Sequence, residues 1–259
     1  RRGADDQRLR LGPRVALSSR SPVPTSPRRI VAAALRRRLF REGRSRRIPM
    51  GLGEGLRVAV QPGQSGSLHL HLGTAEAEIA PYLRRLVRPG TVCVDIGGNN
   101  AYYALIFARR SENEVVTLDF DPGAIALGTK NLSLNPELAA RVRQHRCYVA
   151  HEVAPEHGAE TLDHLLETGV IRPPGLLKID VEGAELSVLQ GAAQILRVHR
   201  PHVVVETHSA ALENGVADLL AELGYRVRIV GQRRWLREGR PATHNRWLVA
   251  EAGAPHPAG

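Results

Sequence analysis

The chain has 259 residues, with 36 Lys plus Arg against 26 Asp plus Glu, 11 His, two Cys and 42% hydrophobic residues, which suits one globular domain carrying an appendage. Two cysteines set inside apolar runs, Cys93 and Cys147, exclude a disulfide scaffold and favour a reducing, cytoplasmic setting. No apolar run reaches the roughly 18 to 20 residues that span a bilayer, and the stretch at 30–35 is too short for a signal-peptide core.

The net charge of +10 is concentrated at one end. Residues 1–50 hold 15 Arg and three acids (Asp5, Asp6, Glu42), or +12, so 51–259 carries 21 bases and 23 acids, or −2. Of the 36 bases 34 are Arg, with Lys only at Lys130 and Lys178, a chain-wide bias that weakens the charge as a nucleic-acid footprint.

Residues 1–27 mix Arg, Ser, Pro and Gly without periodicity, a composition that cannot offset the entropy of ordering and reads as disordered. Over 28–47, Ile30, Val31, Ala34, Leu35, Leu39 and Phe40 fall on one helix face with arginines opposite, suited to an anionic surface or to a solvated lead-in. The chain starts without Met and its one Met is Met50, which sets 1–49 apart as a basic arm of low functional weight. After Met50 short strands and helices alternate. Residues 56–60 and 67–72 alternate apolar and polar around Pro62-Gly63, which predicts a hairpin. Residues 76–87 space Ile79, Leu83, Leu86 and Val87 for a helix ended by Pro89-Gly90. Strands are then predicted at 91–95, 114–119, 146–150, 175–180 and 202–206, with helices between them at 102–109, 122–134, 162–167 and 184–198. A helix at 214–223 and a closing strand pair, 225–230 with 246–250, complete the pattern. The alternation predicts an α/β fold with a doubly wound, mostly parallel sheet. Arm 1–49, hairpin and helix 50–90, core 91–252 and tail 253–259 are the expected divisions.

In such a sheet, ligands bind beyond the carboxyl ends of the strands, where the strand order switches. The first core strand ends in Asp95-Ile96-Gly97-Gly98-Asn99-Asn100-Ala101 and runs into a helix, so its glycines allow a tight turn and close approach of backbone to ligand. The second ends at Asp119, 24 residues after Asp95, where a carboxylate accepts hydrogen bonds from ribose hydroxyls. Together they predict a nucleoside site. G-x-G-x-x-G and G-x-x-x-x-G-K-[ST] are both absent, which disfavours nicotinamide dinucleotides and ATP.

Four stretches carry a family resemblance: Gly73-Thr74-Ala75-Glu76; Val94-Asp95-Ile96-Gly97-Gly98-Asn99-Asn100-Ala101-Tyr102-Tyr103; Leu118-Asp119-Phe120-Asp121-Pro122 with Asn131-Leu132-Ser133-Leu134-Asn135; and Lys178-Ile179-Asp180-Val181-Glu182-Gly183-Ala184-Glu185. Thr161-Leu162-Asp163 and Glu206 echo it, and the whole resembles the FkbM family of S-adenosylmethionine-dependent methyltransferases over about residues 56–250. The resemblance implies a Rossmann-like class I methyltransferase sheet of seven strands with the last antiparallel, and O-methylation of a small-molecule or glycan hydroxyl. Carried over by position, it puts Asp95, Gly97 and Asn99 on the methionine side of S-adenosylmethionine, Tyr102 beside it and Asp119 at the ribose. The chain departs from the family at Ala101, where Gly is usual, at Asn100, where a small aliphatic is usual, and in a short segment after Ala150 that implies an open acceptor pocket.

An alcohol is a poor nucleophile while protonated, so transfer to it needs a carboxylate or His near the methyl, or a divalent cation that acidifies the hydroxyl. Asp180, Glu206 and His208 end neighbouring strands at the ligand edge and are the catalytic candidates; Asp180 with Glu206 is also the candidate Mg²⁺ pair. More ordinary roles compete with these: Asp95 as a helix cap, Tyr102 or Tyr103 as core, Glu182 and Glu185 as turn and helix-start residues. Two other functions compete as well. An RNA methyltransferase would use the arm and Arg233, Arg234, Trp235, Arg237 and Arg240, but no acceptor motif for a base amine or 2′-OH accompanies them. A non-catalytic partner-binding module would account for Ala101 and the shortened segment.

Overall fold

The computed structural model describes residues 44–60, 67–232 and 246–253, all within one unit, Phe40–Gly259. Its centre is a seven-stranded sheet in which the inner strands read as nearly unbroken apolar runs, because both faces are covered. These are β3 (Cys93–Ile96), β4 (Val115–Asp119), β8 (Leu176–Ile179) and β9 (His202–Thr207). With β5 (Val142–Arg146), β10 (Tyr225–Val230) and β11 (Arg246–Ala252) the order is β10-β11-β9-β8-β3-β4-β5. The five strands from β9 to β5 run parallel and β11 is antiparallel to both its neighbours. The order reverses between β3 and β8, so the crevice for a ligand opens beyond their carboxyl ends.

Two apolar layers clamp the sheet. Val94, Ile96, Val116, Leu118, Leu177 and Ile179 face one, which α6 (Leu162–Glu167), α7 (Glu185–Gln190), α8 (Ala193–Val198) and α9 (Ala210–Glu222) cover. Cys93, Val115, Leu176, Val204, Trp247 and Val249 face the other, beneath α2 (Ala80–Leu86) and α3 (Tyr102–Ser111). Strand side chains alternate between faces, so Asp95, next to Ile96, and Lys178, next to Ile179, turn toward α3.

Four local expectations are overturned. Residues 67–72 form a helix, α1, not the second arm of a hairpin; His71 is buried and Leu72 exposed, the inverse of the strand pattern. Its six-residue alternation is too short to decide between the two periods. The partner of β2 (Arg57–Ala59) is instead β1 (Ser45–Arg47), in register Ser45↔Ala59 and Arg47↔Arg57. Residues 45–48 of the expected arm thus belong to the folded part, and Ile48 is 1% exposed in the α3-side core. Residues 45–47 are strand where an arm helix was expected to end; the rest of that helix, and the arginines at 233–240, lie outside the described residues. The third core strand is 142–146, not 146–150: at the sheet edge a polar strand pairs on one side only. The apolar residues after it leave the sheet, and β6 (Tyr148–Val149) pairs with β7 (Ala159–Glu160) in the short segment after Ala150. The long helix expected at 184–198 is two, α7 and α8. The carboxylate of Asp163 accepts from the N–H groups of Gln194 and Ile195 at 2.8 and 2.9 Å and so caps the second.

The strand pair β1–β2 is fastened by α4 (Pro122–Ser133), with a short helix α5 (Pro136–Ala139) after it. Asn131 Oδ1 accepts from the Ala59 N–H (2.8 Å) while its Nδ2 donates to the Asn100 carbonyl (2.8 Å). Asn135, one turn on, accepts from the Arg57 N–H (2.9 Å) and donates to the Arg57 carbonyl (2.7 Å). Both asparagines are buried. Asn131→Ala leaves the Ala59 N–H and the Asn100 carbonyl unmatched and is expected to cost about 1–3 kcal/mol, read by denaturant unfolding. A cost within error would mean that water satisfies both groups.

Candidate active site

The loop after β3 is pressed against the turn after β8. Gly97 has φ +73°, and a Cβ there would lie 1.8 Å from the Asp180 carbonyl oxygen, so only glycine permits the approach. Gly97 and Gly98 N–H both donate to the Leu118 carbonyl (2.9 and 3.1 Å), tying the loop to β4. Asp119 at the end of β4 accepts from the Asn99 N–H on one carboxylate oxygen (2.8 Å) and from the Asp121 N–H on the other (2.9 Å). Asn100, the departure from the family pattern, caps α3 by accepting from the Tyr102 N–H at 3.1 Å. Ala101 sits left-handed at φ 57°, which explains why glycine is usual there.

Gly97, Asn99, Asp119, Phe120, Tyr148 and Asp180 line a cavity of ≈ 310 Å³ at this edge. Phe120 and Tyr148 stand edge to face, ring centres 5.9 Å apart, so the short segment after Cys147 walls the cavity. Three of the five expected cofactor residues, Gly97, Asn99 and Asp119, line this cavity. The other two are not among its lining residues: Asp95 is fully buried on the α3 side of the sheet, and Tyr102 packs into the α3-side core against Gly53 and Ile48. Neither caps the helix; Asn100 does.

Asp95 instead faces Lys178, its register partner across β3 and β8, at 3.4 Å. Lys178 Nζ also lies 3.5 Å from Asp180 Oδ2, and over the Tyr103 ring at 5.0 Å and the Trp247 ring at 6.0 Å. Burial opposes the ammonium, yet Asp95, Asp180, Glu76 and Glu206 together hold Lys178 protonated above the ordinary lysine range. Burial pushes the Asp95 carboxyl up and the Lys178 charge pulls it back. Glu206, the last β9 residue but one, is 3% exposed, and its carboxylate with those of Glu76 and Asp180 offers three oxygens within 4.8 Å of one another.

Sequence reasoning gave no role to Glu76 or Lys178. Glu76 is delivered by the Gly73 turn, which docks on Met50-Gly51 so closely that a Cβ on Gly73 would lie 1.8 Å from the Met50 carbonyl oxygen. It accepts a hydrogen bond from the Tyr103 hydroxyl. The signal for Lys178 was its rarity, one of two lysines among 34 arginines. His208 joins the cluster from beyond β9, with Nδ1 2.5 Å from Glu185 Oε1 and Nε2 3.7 Å from Asp180 Oδ1 and 3.4 Å from Glu182 Oε2. Glu185 opens α7, the helix-start position expected of it, and also accepts from the Gly183 N–H at 2.9 Å. Burial works against the charged imidazole, but the Glu185 hydrogen bond and the Glu182, Glu185 and Asp180 charges raise His208 to about 9. At neutral pH it is an imidazolium, unable to accept a proton.

The strand order, the glycine turn and the acid ending β4 define a class I Rossmann-like methyltransferase fold. The same fold is seen in the FkbM methyltransferase from Methylobacillus flagellatus, at TM-score 0.52 and 16% identity over 73% of this chain and 55% of that one. The FkbM methyltransferase domain matches residues 139–227 of the chain, about a third of its length. Among curated proteins it is similar to the hexuronic acid methyltransferase AglP of Haloferax volcanii, 38% identical over 77 residues, 28% of this chain and 31% of that protein. It is also similar to the ribosomal protein L11 methyltransferase of Carboxydothermus hydrogenoformans, 28% identical over 89 residues, 34% of this chain and 28% of that protein. The chain thus spans under a third of the length of either curated relative. Among the described residues no helix is long and apolar enough to cross a membrane.

The His208 shift carries a pH dependence of stability. Its folded value of about 9 lies above the ordinary 6.5, so the folded chain holds an extra proton between those values. The stabilisation is complete below pH 6.5 and lost as the pH rises through 9. It amounts to at most about 3 kcal/mol. Melting temperature should fall across that window, and His208→Gln should flatten the fall; an equal slope in the variant would assign it elsewhere.

Proposed function

We propose that the protein is an S-adenosylmethionine-dependent O-methyltransferase acting on a hydroxyl of a small molecule or glycan. The observation that carries this reading is the cavity at the switch point, which Asp119 and Asp180 both line. Two backbone N–H groups fix the Asp119 carboxylate from behind, one on each oxygen, which leaves lone pairs for a ribose diol. Phe120 and Tyr148 supply the flat apolar walls a purine needs. Gly97 and Asn99, which also line the cavity, fit the remainder of such a ligand, Gly97 because it carries no side chain. When bound, S-adenosylmethionine supplies a methyl on a sulfonium, an already activated leaving group that departs neutral.

What remains for the protein is to orient the acceptor and take its proton. Asp180 lines the cavity and belongs to the acid cluster on the α3 side, so a hydroxyl held between the two sides meets its carboxylate. Asp180 would take the proton of that hydroxyl when a methyl passes to its oxygen from the sulfonium, whose S–CH3 bond breaks in the same step. Glu206 and Glu76 bound the same space and orient the acceptor by accepting its other hydroxyl hydrogens. His208, already protonated, balances the charge of Asp180 and does not act as the base. The similarity to a hexuronic acid methyltransferase supports a sugar as acceptor.

Asp119→Ala should weaken binding of the demethylated cofactor product by about 1–3 kcal/mol in calorimetry, the scale of hydrogen bonds to a charged acceptor; unchanged affinity would remove the ribose assignment. Asp180→Asn keeps shape and removes charge. It should lower kcat at least about 10²-fold with cofactor affinity intact, and a variant that turns over at the wild-type rate would relocate the base.

A further inference from the structure

Three carboxylates whose oxygens lie within 4.8 Å of one another, those of Glu76, Asp180 and Glu206, favour a cation between them. A divalent metal is one solution, since hard oxygen donors in this number suit Mg²⁺ or Mn²⁺. The chain contains another. Lys178 Nζ lies 3.5 Å from Asp180 Oδ2, and His208 Nε2 lies 3.7 Å from Asp180 Oδ1, so each oxygen of the central carboxylate already faces a cation of the protein. A dication bound to Asp180 would sit against a buried ammonium that has no route to solvent, its side chain being 3% exposed beneath Tyr103 and Trp247. The residues therefore do not fit a metal shared by Asp180 and Glu206.

We propose that Lys178 is the built-in cation of this site: its ammonium takes the place of a divalent ion among Glu76, Asp180 and Glu206 and holds Asp180 in position. The proposal rests on the assignment of Asp180 above. The same ammonium binds Asp95 beneath the β3 loop, so one charge fixes both the base and the strand end from which the cofactor turn departs. Among the described residues, the charged groups that act on it are Asp95 from β3, Asp180 after β8, Glu206 from β9 and Glu76 from the segment before α2, while His208 faces Asp180, Glu182 and Glu185.

The test is manganese binding, followed by electron paramagnetic resonance. Wild-type protein should bind no Mn²⁺ in the cluster at millimolar concentration, and its turnover should survive exhaustive chelation. Lys178→Met removes the charge at nearly constant length. It should lose at least tenfold in kcat and gain a Mn²⁺ signal that Glu206→Gln, added to it, abolishes. A lysine that merely packs would change melting temperature but create no manganese site. Stoichiometric Mn²⁺ in the wild type, or activity abolished by chelation and restored by Mg²⁺, overturns the proposal, and both measurements stand even if Lys178→Met does not fold. Should Asp180→Asn turn over normally, the assignment of the base fails, while the manganese result still decides the role of Lys178.

Discussion

A single buried ammonium governs the middle of this protein. Lys178 is enclosed between the sheet and α3 with Asp95 at 3.4 Å, a separation worth about 4–5 kcal/mol of attraction at the effective dielectric of such sites. Removing two ions from water costs several kcal/mol each, so the pair adds little net stability. What it enforces is register. Slipping β8 by one residue would drive Lys178 into the apolar layer of Val94, Ile96 and Leu118 and would strand Asp95 without a cation.

From that pairing follows a division of labour between the sheet faces. The cavity is built from residues that share the phase of Ile96 and Leu118, together with the loop residues Gly97, Asn99 and Asp119. Residues in the phase of Asp95 and Lys178, continued by Asp180, Glu206 and Trp247, make the acid cluster on the α3 side. Gly97 is where the two sides meet, since its missing side chain lets the cofactor loop rest on the Asp180 carbonyl. Segments far apart in the chain converge there because a parallel sheet brings all its carboxyl ends to one edge.

Most of the architecture was legible in the sequence because buried parallel strands are runs of apolar residues and surface helices are periodic. The helix at 162–167 and the strand at 225–230 fall within the bounds their patterns set. Asp119, Gly97 and Asn99 were readable for a related reason, since loop residues that end a strand have only the crevice to face. The burial of Asp95 was not legible because a motif gives position along the chain but not the phase of the side chain; that needs the neighbouring strand, where Lys178 stands opposite. His208 was placed correctly in space, but its charge state depends on Glu185, a residue 23 positions away. The helix at 67–72 and the strand at 45–47 escaped because both are short and owe their conformation to tertiary partners.

The asparagine clamp on β2 has a consequence for solubility. Residues 56, 58 and 60 of this segment direct their backbone toward β1 and its flanks, while Arg57 and Ala59 point theirs the other way. A short strand pair at a molecular margin presents there the row of unsatisfied groups on which a second chain nucleates. Asn131 and Asn135 occupy that row with amide groups of the same hydrogen-bonding character as backbone, so the ladder ends in side chains and cannot be extended. The helix thus acts as a terminator for the sheet beside it, protecting β2 from intermolecular strand exchange without a proline, a bulge or an inward-facing charge.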